Sequence, residues 1–246
     1  VTTIHAHAKL TLSLSITGVR EDGFHLIDAV MTSLDLRDEI VITESSTTTL
    51  TFNGPFSSGI PTDNTNLISR ALAMVGRTAD VTVTKNIPHG GGLGGGSSDA
   101  AAILAWAGFT DMQAASQLGA DIPFCLLAAH TARSARVRGI GEIIEPMFAP
   151  QRDVTLIIPP FSVSTPLAYQ AWDSLGGPRG ENGNDLEPAA LYVVPEMAIW
   201  RDRILSAVGV RPVLAGSGST WFIYEHHPQL PDLVADAVVL FTNTRG

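Results

Sequence analysis

Apolar and polar residues alternate early in the chain. In "AKLTLSLSI" (8–16) Leu10, Leu12, Leu14 and Ile16 fall on one face, a period of two that predicts a half-buried strand. A turn at Asp22-Gly23 follows, and apolar residues 26–34 continue as extended chain. "EIVITE" (39–44), "TTLTF" (48–52) and "DVTVTK" (80–85) read as three more strands. Between them, "PTDNTNLISRALAMVG" changes to a helical stripe, with Asp63, Asn64 and Thr65 as capping candidates and Gly76 as the stop. A second helix starts at Ser97 or Ser98 and stops at Gly108, and a short one over 111–118 runs out in "LGADIPF". "TARSARVRG" and "GEIIEP" suggest a hairpin, and "DVTLIIPP" (153–160) a strand whose Pro159-Pro160 end suits a hinge near a domain boundary. Helices over "STPLAYQAWD" and "VPEMAIWRDRILSAVG", a strand pair around "LAGSGSTWFIYE", and a last helix and strand to "AVVLFT" complete the pattern. Strands that look antiparallel, with helices interspersed, predict an α+β fold.

Strand 80–85 leads directly into "PHGGGLGGGSSDAAA" (88–102), six glycines within seven positions. Glycine loses more backbone entropy on folding than any other residue, so such a run implies a close approach to the main chain. A strand, a glycine loop and a helix N-terminus together suit a polyphosphate, because unpaired N–H groups and the helix dipole face the anion. A tight backbone crossing is the other reading. G-x-G-x-x-G matches at Gly90, Gly92 and Gly95, but a run this rich in glycine satisfies that pattern trivially. No Lys-Ser/Thr follows, as a P-loop requires, and no strand-borne acid stands about 20 residues on, as a dinucleotide fold requires.

Net charge and composition narrow the choice. A net charge of −9 argues against a nucleic-acid partner, and no apolar run reaches the roughly 18 residues of a membrane span. The first residues lack a signal-peptide pattern and Cys125 is the single cysteine, which together lead to the expectation of a reducing cytoplasm. Of the 15 basic residues all but Lys9 and Lys85 are arginines, so these two positions stand out as places where a compact ammonium is wanted. Lys9 lies in an apolar strand, where an ammonium needs a partner or must snorkel from an edge. Asp121 is either the cap of a helix begun by Pro123 or a functional carboxylate. The His5/His7 and His226/His227 pairs have no third metal ligand nearby in sequence. "AGSGST" (215–220) is a hairpin turn or a second ligand loop; the latter places a cleft between two domains.

In order along the chain, "AKLTLSLSITGVREDGFH", "PHGGGLGGGSSDAAA", "LGADIPF", "GIGEIIEP" and "AGSGST" resemble the kinase superfamily of galactokinase, homoserine kinase, mevalonate kinase and phosphomevalonate kinase (GHMP). The resemblance implies an N-terminal α/β domain of the ribosomal-protein-S5-domain-2 kind over 1–150 and a ferredoxin-like domain over 151–246. It implies a catalytic pair, Lys9 and Asp121, and ATP phosphates held by Pro88, His89, Gly90, Gly91, Gly92, Leu93, Gly94, Gly95, Gly96, Ser97 and Ser98. By the same resemblance Lys85 and Asn66 lie near the nucleotide, and Mg²⁺ takes Ser98 as its candidate ligand. Thr11, Phe24, His25, Thr165, Tyr169, Gly216, Ser217 and Gly218 would meet a small-molecule substrate, a cytidine-diphosphate methylerythritol phosphorylated on its 2-hydroxyl. Thr11 stands where the family usually has Asn, and Phe24 where it has Tyr. A homoserine- or mevalonate-type kinase and a nucleotide-binding regulator without catalysis are the alternatives.

Overall fold

The computed structural model describes residues 1–246. Its first six strands are β1 (Thr2–Val19), β2 (His25–Glu44), β3 (Thr49–Asn53), β4 (Ala79–Thr84), β5 (Ser134–Gly139) and β6 (Ile143–Met147). They form one sheet in the order β3-β4-β2-β5-β6, with β1 along the other side of β2. Four helices pack on this sheet: α1 (Leu67–Met74), α2 (Gly95–Trp106), α3 (Met112–Ser116) and α4 (Ile122–His130). Strands β7 (Asp153–Ile158), β8 (Val213–Leu214), β9 (Trp221–Tyr224) and β10 (Val238–Asn243) make a second, antiparallel sheet in the order β10-β7-β9-β8. With it go α5 (Thr165–Ser174), α6 (Glu187–Val193), α7 (Glu196–Val208) and α8 (Leu230–Leu233). The fold is α+β, and no helix is long and apolar enough to cross a membrane.

Several boundaries differ from the sequence expectation, each for a local reason. Segments 26–34 and 39–44 are one continuous strand, β2, because β1 pairs along its whole length while β5 and β4 share its other edge. Asn66, not Asp63, Asn64 or Thr65, caps α1, its Oδ1 accepting from Ile68 N at 2.8 Å. Asp63 instead closes a turn onto Thr65 N at 2.9 Å. Helix α2 begins at Gly95, ahead of both serines, because Gly94 takes the left-handed conformation (φ 68°) and its carbonyl accepts from Ser98 N at 2.8 Å. Helix α6 was not expected.

Strand β1 does not keep its apolar residues on one face. Its register against β2 shifts at His7/Lys9, Thr11/Ser13 and Ile16/Gly18. Each extra residue turns the following side chains to the opposite face. Leu14 and Ile16 therefore join the core under α1–α4, whereas Leu10 joins a separate cluster with Ala8, Leu34, Ile87, Leu93, Val154, Leu156, Ile158, Ala215 and Phe222. This second cluster takes residues from both sheets, so the two halves share an apolar core. Burying both faces of β1 places Lys9 and Thr11, between two of the shifts, at the junction.

Candidate active site

Lys9 is held from three directions. Its backbone N–H donates to the Leu93 carbonyl at 3.0 Å, and a Cβ at Gly94 would sit 2.7 Å from its Cγ, so the glycine loop lies across its stem. Its Nζ donates to Thr11 Oγ1 at 3.1 Å and stands 3.3 Å from Asp121 Oδ2. The Lys9 side chain is only 6% exposed while that of Asp121 is 32% exposed, so the ammonium is internal and the carboxylate remains open to a ligand. Asp121 stands at the N-cap of α4, just before Ile122, yet its side chain makes no capping hydrogen bond. Its carboxylate faces the lysine, which removes the capping explanation.

The glycine run has two distinct uses. At Gly92 (φ 81°) a Cβ would meet the carbonyl oxygens of Ala215 at 2.8 Å and Gly218 at 3.0 Å; Gly92 and Gly94 thus admit other parts of the protein. The expectation that these glycines chiefly leave space for phosphate is corrected accordingly. The loop's backbone carries the other use. From His89 to Ser97 no main-chain N–H donates to an acceptor of the protein, and α2 has no side-chain cap. Unpaired donors at the N-terminus of a helix of this length are what a phosphate takes up.

Lys85 is engaged by the protein itself. It lies beneath the loop, 2% exposed, with Nζ bonded to Asp38 Oδ2 and, at 2.6 Å, to Asp99 Oδ2. Burial works against its ammonium, but the two carboxylates outweigh that and hold its pKa above the usual lysine value. Asp38 Oδ1 also accepts from Asn86 N at 2.6 Å and Ile87 N at 2.9 Å. The triad therefore ties β2, the exit of β4 and the N-terminal half of α2 together and braces the loop from below. Burial, with the charge of Asp38 added, pushes the Asp99 carboxyl up to about 7 against the pull of Lys85. Asn66 is likewise engaged locally, since its Nδ2 donates to the Pro61 carbonyl at 2.8 Å in addition to the cap. Ser98 is buried, its Oγ 3.4 Å from the Cys125 sulfur, a thiol that burial pushes up to about 12.

The second half also reaches the pair. A Cβ at Gly216 would face Thr11 Oγ1 at 3.6 Å and Lys9 Nζ at 3.8 Å. Thr165 Oγ1, at the start of α5, is 2.7 Å from Ser217 Oγ. One turn on, the Tyr169 ring lies 4.7 Å from that of His25, tilted by 34°, and Trp172 meets His25 edge-on at 5.6 Å. Burial raises the Tyr169 hydroxyl to about 12, and the nearby negative charge of Asp121 adds to this, so the aromatic cluster and the carboxylate share one space. Phe24 stands exposed beside them on the β1–β2 turn. Sequence reasoning did not find Asp38, Asp99, Asp173 or Asn184. Asp99 stood in plain view after the serine pair, and Asn184-Asp185 is a buried polar pair before α6.

The chain is similar to known proteins over most of its length. The profile described as GHMP kinases N terminal domain matches residues 66–128, from the α1 cap to the body of α4. A 4-diphosphocytidyl-2-C-methyl-D-erythritol kinase of Paracoccus denitrificans is 37% identical, over 88% of this chain and 84% of its own length. This chain belongs to that kinase family. A second member of the family, from Cereibacter sphaeroides, is 34% identical over 90% of this chain and 88% of its own. The crystal structure of a 4-(cytidine 5'-diphospho)-2C-methyl-D-erythritol kinase superposes with a TM-score of 0.79 at 30% identity, covering 100% of both chains. A putative homoserine kinase from Listeria monocytogenes, at 18% identity and TM-score 0.62, shares the fold.

Proposed function

We propose that this protein transfers the γ-phosphoryl group of ATP to the 2-hydroxyl of 4-diphosphocytidyl-2-C-methyl-D-erythritol. The observation that carries the reading is the Lys9–Asp121 pair, 3.3 Å apart, between unpaired loop N–H groups on one side and an aromatic cluster on the other. Phosphoryl transfer asks a protein mainly for positioning and charge stabilisation. Asp121 accepts the hydroxyl proton as the oxygen bonds to the γ-phosphorus and the bond to the ADP oxygen breaks. Lys9, fixed by Thr11 and the loop, orients Asp121 and lies close enough to stabilise charge on the transferring group. The N–H groups from His89 to Ser97 and the α2 dipole bind the phosphates. The Ser98 hydroxyl, whose one protein partner is a sulfur at 3.4 Å, would be the protein ligand for a Mg²⁺ ion, which would supply charge neutralisation to the phosphates. Phe24, His25 and Tyr169 offer flat walls and a polar edge to the cytosine ring.

The test is transfer from γ-labelled ATP to the cytidine-diphosphate substrate by the purified protein, with CMP and CDP as competitors. Expected are a phosphomonoester product, stoichiometric ADP and inhibition by both cytidine nucleotides that excess substrate relieves. ADP release with small alcohols but none with this substrate would overturn the assignment.

A further inference from the structure

The Asp173 carboxylate is held 2.9 Å from His25 Nε2. A carboxylate accepts and does not donate, so Nε2 carries the proton, and in a neutral imidazole the other nitrogen, Nδ1, must then be an acceptor. Nδ1 has no partner in the protein and is not sealed from solvent. The ring itself is clamped. Its side chain is 10% exposed, with Tyr169 against one side and the edge of Trp172 against it. Asp173 lies four residues after Tyr169 on α5, so the helix face that supplies the aromatic wall also supplies the anchor.

From this geometry we propose that Asp173 is a specificity-determining residue, locking His25 in the tautomer that accepts a hydrogen bond from an exocyclic amino group and so admits cytosine and rejects uracil. The two bases present opposite groups at ring position 4, an amino donor in cytosine and an oxo acceptor in uracil. Facing Nδ1, the first forms a hydrogen bond, whereas the second sets two lone pairs against each other beside the aromatic rings of Tyr169 and Trp172. A site built to receive a donor discriminates strongly against the analogue that lacks it. Asp173 acts through His25 and is a positioning residue. The inference rests on the kinase reading above and extends it to the choice of base.

The experiment compares kcat/KM at pH 8 for the cytidine-diphosphate substrate and its uridine-diphosphate analogue in the wild type, Asp173→Ala and Asp173→Glu. Alanine is compatible with this half-exposed helix position and leaves His25 free to choose either tautomer. The cytidine-to-uridine ratio should fall by about 10- to 100-fold in Asp173→Ala, mainly through a lower KM for the uridine analogue, while KM for ATP stays unchanged. Glutamate, which keeps the acceptor, should restore most of the ratio, and ¹⁵N chemical shifts should report the Nε2–H tautomer in wild type and a mixture in Asp173→Ala. An unchanged ratio, or an equal loss with both substrates, overturns the role of Asp173 and leaves the kinase reading intact. No turnover of the cytidine substrate by the wild type overturns both.

Discussion

Lys9 and Lys85 are the two lysines of the chain, and their surroundings give them opposite tasks. Lys9 has one carboxylate partner, and that partner is open to ligand; Lys85 has two, both buried. A part-exposed carboxylate beside an internal ammonium can take part in chemistry, whereas the buried triad holds three elements together. Asp121→Asn keeps the size and removes the base, so kcat should fall by roughly 10²–10⁴-fold with KM for ATP little changed. Lys9→Met keeps most of the stem that Gly94 covers. A kcat loss of similar order at an unchanged melting temperature would separate the charge of Lys9 from its packing. The triad should reveal itself through pH instead. The Asp99 carboxyl is raised from 3.8 to about 7, so the folded state binds the extra proton, and this stabilisation is complete below pH 3.8 and lost as pH rises through 7. His7, pushed down to about 4 by burial, acts in the opposite sense, its contribution being lost as pH falls from 6.5 towards 4. The two slopes oppose each other in the wild type, and a difference measurement isolates one of them. The melting temperature of wild type minus that of Asp99→Asn should decline between pH 4 and pH 7 and level off above. A flat difference would mean that Asp99 carries no proton in the folded protein.

At the scale of elements, the glycine loop shows how a motif can be legible while its reasons are not. Its strand-loop-helix order follows from the local pattern, as do the β5–β6 hairpin, α5 and α7, whereas its place beside Lys9 is implied only by the family resemblance. That Gly92 lies against the carbonyls of residues 215 and 218 depends on a contact between segments over a hundred residues apart, which no local pattern encodes. The same limit applies to β1, whose strict alternation predicts one apolar face; only pairing with β2 creates the register shifts that divide Leu10 from Leu14. The carboxylate partners of Lys85 escaped a sequence reading for a related reason, because Asp38 comes from the middle of a strand that reads as two. Glycines along the run should therefore respond differently to alanine. Gly92→Ala forces a positive φ on a residue with a Cβ, costing about 1–3 kcal/mol before the carbonyl contacts are counted. Gly96→Ala, in the helix with only a Leu67 methyl at 3.7 Å, should hold or raise stability. Thermal melts of the two variants check this, and equal losses would show that the carbonyl packing around Gly92 does not matter.

The whole molecule is two sheets joined by one apolar cluster, and the candidate site takes Lys9 and Asp121 from the first half and Thr165, Tyr169 and Gly216 from the second. Their spacing is set by more than the apolar junction. Leu14 N donates to the Gly183 carbonyl and Asp185 N to the Leu14 carbonyl, both at 2.8 Å, which fastens the segment before α6 to the free edge of β1. From that segment Asn184 Nδ2 donates to the carbonyls of Leu214 and Gly216, at 2.8 and 2.7 Å, holding the loop that faces Lys9. At the far end of the second sheet, Arg245 N donates to the Ser33 carbonyl at 2.9 Å and Thr242 Oγ1 accepts from Leu36 N at 3.1 Å. The second half is therefore fastened to the first at both ends and through the shared core, so separating the halves would expose Leu10, Leu34, Leu156 and Phe222 together. Apolar burial of that extent favours joint unfolding over independent domains. Thermal unfolding should accordingly be a single transition, followed coincidentally by far-UV and near-UV circular dichroism, with calorimetric and van't Hoff enthalpies in agreement. A fragment of residues 1–150, which lacks Val154, Leu156, Ile158, Ala215 and Phe222 of the shared cluster, should not reach a native-like near-UV spectrum. Two resolved transitions in the intact chain, or a cooperatively folded fragment, would show that the junction is a contact between independent domains and not part of one core.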